Sequence, residues 1–193
     1  ANVFTTEGAE TLSAVSAVTT EADSTVQVQV YLLDDDAQSP TDGTLVAEQV
    51  DAIELSGYHT IELDQPVTLS AGQRFSVVES IDGAQGAYLP LEVAGHDSTD
   101  PDEAAGGFVL KKQQAAVSNA GESFYSTDGG VTWIDASTLT KDDLEDRVSL
   151  TVFGGDPEVL GVGNAMIKAF TVDDESAAGT PEASGTAGKS TKK

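Results

Sequence analysis

Alternation of apolar and polar residues with a period of two is the feature that most constrains this chain. It is clearest at 25–31, Thr-Val-Gln-Val-Gln-Val-Tyr, where an extended strand places the valines on one face and the glutamines on the other. Similar segments, rich in β-branched and aromatic residues, occur at 12–19, 59–63, 75–79, 149–153 and 165–171. Gly, Pro and Asp punctuate the intervals, so the pattern predicts an all-β, antiparallel β-sandwich.

The division of the chain follows from where this alternation stops. We expect one domain at 1–172, with a single helical segment at 140–146 and long acidic surface loops at 94–105 and 154–163. The remainder, 173–193, is small and polar without an aromatic residue, so burial there cannot offset the entropy of ordering. It is predicted to be a disordered linker or tail.

The charge of the chain excludes several classes of partner. Acidic residues number 33 and basic residues 9, giving a formal net charge of −24. The chain is therefore not expected to bind nucleic acid, because Lys and Arg bind its phosphates. No apolar run approaches the roughly 20 residues of a membrane-spanning helix, so no membrane insertion is expected. A diffuse negative surface suits an extracellular or salt-tolerant protein.

One hairpin motif stands out at 126–133, Ser-Thr-Asp-Gly-Gly-Val-Thr-Trp, which matches the Asp-box pattern. We predict structural roles for three of its residues: Asp128 accepts hydrogen bonds from turn amides, Gly129 takes a positive φ, and Trp133 packs under the turn. The turn is expected to support the sheet without forming a ligand pocket.

Asp-boxes recur in sialidases, so that activity has to be considered. Sialidases hold the substrate carboxylate with three arginines, whereas this chain has only Arg74 and Arg147. A protein of charge −24 also repels an anionic sugar. Serine nucleophile chemistry has no support either, because the Gly-x-Ser-x-Gly motif is missing and His59 at a strand start suits a structural role. No catalytic site is predicted.

An acidic loop is the candidate metal site. It holds Asp97, Asp100, Asp102 and Glu103, which together offer several oxygen ligands for Ca²⁺. Their spacing does not match an EF-hand loop, and runs of charge usually stay solvated. Weak calcium binding and a solvated loop both remain open.

Several short blocks in a fixed order carry a resemblance to a known family: 1–4, 43–46, 57–63, 66–69, 71–78, 121–124, 126–133 and 165–171. Together the blocks resemble the lectin-like domain that follows papain-like cysteine peptidase domains in bacterial surface and secreted proteins. The resemblance implies a jelly-roll-like sandwich outside the cytoplasm. It also implies a carbohydrate or protein ligand, and an adjacent peptidase domain that carries the catalytic cysteine and histidine.

The function expected from these observations is a non-catalytic extracellular binding module for a glycan or a surface protein. Neutral sugars are bound by aromatic faces together with polar groups, so Tyr58, Tyr88 and Tyr125 are the candidate ligand-binding residues, with Trp133 as a further aromatic. The alternative is a structural spacer that packs against the peptidase and binds no sugar.

Overall fold

The computed structural model describes residues 1–84, 89–94, 117–139 and 161–174, and these residues are nearly all β-structure. The described residues contain no α-helix, and Ala136–Thr138 form a short 3₁₀ helix. The strands are β1 (Asn2–Thr5), β2 (Glu10–Thr19), β3 (Ser24–Leu33), β4 (Gly43–Ile53), β5 (Gly57–Leu69), β6 (Arg74–Asp82), β7 (Leu91–Ala94), β8 (Phe124–Tyr125), β9 (Ile134–Asp135), β10 (Gly161–Ala165) and β11 (Lys168–Asp173).

Two antiparallel sheets hold the core between them, so the predicted β-sandwich is confirmed. The first sheet has the order β1-β6-β3-β4 and the second β11-β2-β5, with smaller pairs β10-β7 and β8-β9. The core comes mainly from strands of both sheets: Leu12, Val15, Ala17, Val26, Val28, Val30, Ile61, Leu63, Val67, Leu69, Phe75, Val77, Ala165 and Ile167. The described residues contain no helix long and apolar enough to cross a membrane.

The alternation in β3 has the consequence predicted for it. Val26, Val28 and Val30 are fully buried, whereas Gln27 and Gln29 on the opposite face donate hydrogen bonds from their side-chain amides to the Glu48 carboxylate on β4, both at 2.8 Å. Because β3 pairs with β4 on one side and β6 on the other, its apolar face lies at the centre of the first sheet.

The predicted strand at 165–171 is wrong as a single element. β10 ends at Ala165, β11 begins at Lys168, and the intervening Ile167 amide donates to the Ala165 carbonyl at 2.7 Å. The buried Asn2 side chain explains the break, because its Nδ2 donates to the carbonyls of Ala165 and Ile167 at 2.9 and 3.0 Å. A side chain therefore takes two acceptors that a continuous ladder would use.

Other boundaries also differ from the sequence-based expectation. Gly161–Ala165, placed partly in a loop by the sequence, forms β10 and pairs with β7. β11 continues to Asp173, and the Asp174 amide donates to the Ala9 carbonyl at 3.0 Å, so ordered structure passes the predicted end at residue 172. The predicted helix at 140–146, the strand at 149–153 and the tail after 174 lie outside the described residues.

The outer face of the first sheet carries two further segments of chain. On β6, Arg74, Ser76 and Val78 alternate with the core-facing residues and point to this face. Residues 34–42 fold over it, where the buried Ser76 hydroxyl donates to the Pro40 carbonyl. Residues 120–135 lie beside β1, because the Phe124 amide donates to the Ala1 carbonyl at 2.8 Å. These two segments frame the site described next.

Candidate functional site

A cleft of about 550 Å³ lies on the outer face of the first sheet, between segments 34–42 and 120–135. The sheet contributes its floor through Val3 and Arg74, and the two segments contribute its walls. Its lining residues are Val3, Asp35, Ala37, Gln38, Ser39, Arg74, Ala120, Gly121, Phe124, Trp133 and Asp135.

The wall formed by 34–42 is held by a turn. The Asp42 amide donates to the Ser39 carbonyl at 3.2 Å, and Pro40 between them is fully buried. Gly43 follows at the point where β4 begins to pair with β3, and a Cβ there would collide with the Leu32 carbonyl. Glycine is therefore required for the chain to leave the turn and enter the sheet at this register.

The opposite wall is set by the hairpin turn at 126–133. The Asp128 carboxylate accepts hydrogen bonds from the amides of Val131 and Thr132 at 3.1 and 2.9 Å, and from the hydroxyls of Ser126 and Thr132 at 2.7 and 2.6 Å. These bonds, led by those from Thr132, lower the pKa of Asp128 to about 2. Gly129 has a φ of 75°, which side chains rarely tolerate.

Trp133 emerges from this turn as an aromatic wall of the cleft. Its indole is half-buried and packs with a small cluster that includes Ala1, Val78 and Phe124, while Nε1 donates to the Thr41 hydroxyl at 3.2 Å. This bond joins the two walls. The expectation that the hairpin turn supports the sheet without forming a ligand pocket stays a prediction. Trp133 and Asp135 from this hairpin nevertheless line the cleft.

Asp135 holds together the wall formed by 120–135. Its carboxylate accepts hydrogen bonds from the amides of Gly121 and Ser137 at 2.7 and 2.8 Å, which ties β9 to the chain before β8. Partial burial opposes ionisation, but the hydrogen bonds from Ser137 and Gly121 outweigh it and lower the pKa of Asp135. The cleft thus keeps a fixed negative charge at this position near neutral pH.

Arg74 contributes a cation to the same cleft. Arg74, the first residue of β6, is half-buried, and its Nη1 donates to the carbonyls of Asp34 and Asp35 at 3.1 and 2.9 Å. The cleft therefore offers donors from a guanidinium, acceptors from carboxylates and an aromatic surface. This combination suits a small polar ligand that carries both donors and acceptors.

Comparison with protein families places this arrangement in context. The family model described as a lectin-like domain matches residues 1–145, three quarters of the chain. The chain belongs to the lectin-like domain family. No significant match was found among curated proteins or among solved structures. The lectin-like match includes both walls and the floor of the cleft.

Of the tyrosines predicted as ligand contacts, the two that the structure describes, Tyr58 and Tyr125, lie in different sheets. Tyr58 is 52% exposed at the start of β5 in the second sheet, and Tyr125 is half-buried on β8 but does not line the cleft. Tyr88 lies outside the described residues. Ligand binding by these tyrosines stays a prediction, and the cleft instead presents Trp133.

The predicted calcium loop, with Asp97, Asp100, Asp102 and Glu103, also lies outside the described residues. Within 1–84, 89–94, 117–139 and 161–174, no group of three or more potential ligand side chains is close enough to hold a metal ion. Another acidic run, 34–36, is exposed, and the backbone carbonyls of its first two residues accept hydrogen bonds from Arg74.

Sequence reasoning missed the polar residues of the cleft: Asp35, Gln38, Ser39, Arg74 and Asp135. Arg74 had one available signal, because arginine is scarce in this acidic chain. The others belong to residue types that are common in it, and they carry no local motif.

Proposed function

We propose that this lectin-like domain is a non-catalytic extracellular module that binds a carbohydrate in the cleft between 34–42 and 120–135. The observation that carries the proposal is the half-buried indole of Trp133 beside the Arg74 guanidinium and the carboxylates of Asp35 and Asp135. Sugar rings present apolar C–H faces to aromatic side chains and hydroxyls to fixed polar groups. Membership of the lectin-like family supports a binding role over a catalytic one.

The setting of the module is part of the same proposal. The blocks shared with lectin-like domains that follow papain-like cysteine peptidases support a place beside such a peptidase, outside the cytoplasm. The net charge of −24 supports a well-solvated surface of this kind. In that setting the cleft would bring the peptidase to a glycan or glycoprotein.

A glycan array with this protein, with and without Ca²⁺, tests the proposal. Any ligand found is then titrated against Trp133→Leu, which keeps an apolar side chain but removes the aromatic face and the indole hydrogen bond to Thr41. We expect binding about two- to tenfold weaker, the range for loss of one aromatic contact. The matched control is Phe170→Leu, an aromatic that is 37% exposed on β11 of the second sheet. Equal losses in both variants, at unchanged melting temperature, contradict placement in the cleft, and silence across the array contradicts sugar binding.

A second candidate function is a packing domain for the peptidase without sugar binding. It is favoured by two exposed side chains near the β4–β5 connection, Leu55 and Tyr58, which are 72% and 52% exposed. Exposed apolar residues that lie together mark contact surfaces in many proteins. Under this alternative Leu55→Ser lowers the thermal stability of the parent peptidase, and under the binding proposal it leaves that stability unchanged.

A further inference from the structure

Arg74 is held in a way that leaves one particular edge of its guanidinium free. Both hydrogen bonds to the backbone, at 3.1 and 2.9 Å, use Nη1. The three N–H groups on Nε and Nη2 have no hydrogen-bond partner among the described residues. Because its Nη1 is anchored to the carbonyls of residues 34 and 35, the side chain loses little further freedom when a ligand binds.

The Nε–Nη2 edge is a planar fork that donates two nearly parallel hydrogen bonds. It matches two oxygens on one group or on adjacent atoms, as in a carboxylate or a vicinal diol. Among the described residues that line the cleft, Arg74 is the cation, and the fork is the edge of its guanidinium that has no hydrogen-bond partner there. The charged side chains in the same cleft decide whether a carboxylate or a vicinal diol is favoured.

The other charged side chains among the described residues that line the cleft are both carboxylates. Asp35 and Asp135 line the same cleft, and the hydrogen bonds from Gly121 and Ser137 keep Asp135 ionised. The whole chain carries −24. A carboxylate ligand at the fork would meet repulsion from both aspartates, whereas a hydroxyl group can donate to a carboxylate and accept from a guanidinium at once.

We infer that the cleft selects a neutral saccharide, with a vicinal diol on the Nε–Nη2 fork of Arg74, hydroxyl donors to Asp35 and Asp135, and the sugar ring against Trp133. This inference rests on the proposed function and adds to it the class of sugar. It also assigns to Arg74 the recognition of the diol, and to the two aspartates the rejection of acidic sugars.

The test compares matched neutral and uronic-acid oligosaccharides of the same linkage, titrated by calorimetry at low and physiological ionic strength. We expect the neutral member to bind more tightly, with an affinity that changes little with salt, because no net ligand charge is screened. Arg74→Gln should weaken neutral binding about tenfold to a hundredfold, the range for hydrogen bonds to a charged group. Arg74→Lys should not restore it, because an ammonium group lacks the fork.

Two further variants keep the result interpretable. Lys168→Gln removes the same unit of charge from β11, outside the cleft lining, and should leave the affinity unchanged. Asp35→Asn preserves shape and keeps both carbonyl acceptors of Arg74, since those belong to the backbone. This variant should reduce the difference in affinity between the neutral and the uronic-acid oligosaccharides.

The outcomes separate the two levels of the argument. Tighter, salt-sensitive binding of the uronic acid overturns the inference and leaves a saccharide module in place. Neutral binding that survives Arg74→Gln with unchanged affinity overturns the role of the fork. Absence of binding to every saccharide overturns both the inference and the proposed function.

Discussion

The interior between the two sheets is made by repetition, whereas the cleft on the outer face is made by individual bonds between side chains and backbone. Inside, valines at every second position of β3 meet apolar residues of the opposite sheet. Outside, the Asp128, Asp135 and Arg74 side chains each bind two backbone groups. The interior therefore depends on many exchangeable apolar contacts, and the cleft depends on a few specific partners.

The strongest test of this contrast is Phe75→Ala. Phe75 is 2% exposed and stacks on Phe4 with ring centroids 5.3 Å apart. We expect a loss of about 3–5 kcal/mol of unfolding free energy in urea, because the change leaves a cavity between the sheets. Val50→Ala on the exposed face of β4 is the control and should stay within about 0.5 kcal/mol. A loss below that of the control would show that the interior is not close-packed around Phe75.

Asn2→Ala tests a buried polar network that belongs neither to the apolar interior nor to the cleft. The side-chain Nδ2 of Asn2 donates to the carbonyls of Ala165 and Ile167, and its Oδ1 accepts from the Ser123 hydroxyl at 2.7 Å. The variant should lose about 1–3 kcal/mol, the cost of buried groups left without partners. The double variant with Ser123→Ala should lose less than the sum of the single losses. Simple additivity would mean that the two side chains do not act as one network.

Glu79→Gln tests a carboxyl group on the core-facing side of β6, opposite Val28. Its Oε1 is buried without a hydrogen-bond partner among the described residues, and burial raises its pKa to about 8 against the opposing charge of the Ala1 amino group. Since the pKa in the folded state exceeds the ordinary 4.5, the contribution of Glu79 to stability is complete below 4.5 and lost as pH rises through 8.

The Gln variant does not titrate there, so its stability relative to the native protein should increase from pH 4.5 to 8. Denaturant melts across this range measure the difference. Glu62→Gln, on an exposed position of β5, controls for the loss of one charge. A constant difference between native protein and Glu79→Gln would contradict the burial of this group.

Asp128→Ala tests the hairpin and should have the smallest effect on global unfolding. We expect faster hydrogen exchange at the Val131 and Thr132 amides, weaker ligand binding and a nearly unchanged core. The lowered pKa of Asp128 means that its contribution is present above pH 3.8 and lost as pH falls through about 2. Trp133, the only tryptophan, reports this locally through its fluorescence.

The control for Asp128→Ala is Thr127→Ala, an exposed neighbour outside the hydrogen bonds of the turn. It should leave both exchange and fluorescence unchanged. If Asp128→Ala instead unfolds the whole domain, the hairpin belongs energetically to the interior and the contrast between the two regions fails.

The same contrast explains what the sequence alone could predict. A strand such as β3 can be predicted from its own sequence, because its alternation is local and does not depend on the strands beside it. The turn at Asp128 is also local, so its glycine and carboxylate could be assigned roles. The break between Ala165 and Lys168 could not, because it depends on the side chain of Asn2 at the other end of the chain.

The cleft was beyond sequence reasoning for a related physical reason. Asp35, Arg74 and Trp133 are far apart in sequence and meet because β6 lies between β1 and β3 while the hairpin lies beside β1. Strand order is a global property that no local pattern encodes. Residue type and strand position make Tyr58 and Trp133 equal candidates for ligand contacts, but they do not indicate that Trp133 lines a cleft and Tyr58 does not.

The attachment of Arg74 to carbonyl oxygens has a consequence for how binding specificity can be altered. Every residue supplies a backbone carbonyl, so the two hydrogen bonds of Arg74 do not depend on which side chains occupy positions 34 and 35. Those side chains can be exchanged while the cation keeps its place. The side chains at the rim of the cleft can thus vary while Arg74 stays in position. A library of substitutions confined to 34–36 is a direct route to variants that prefer different ligands.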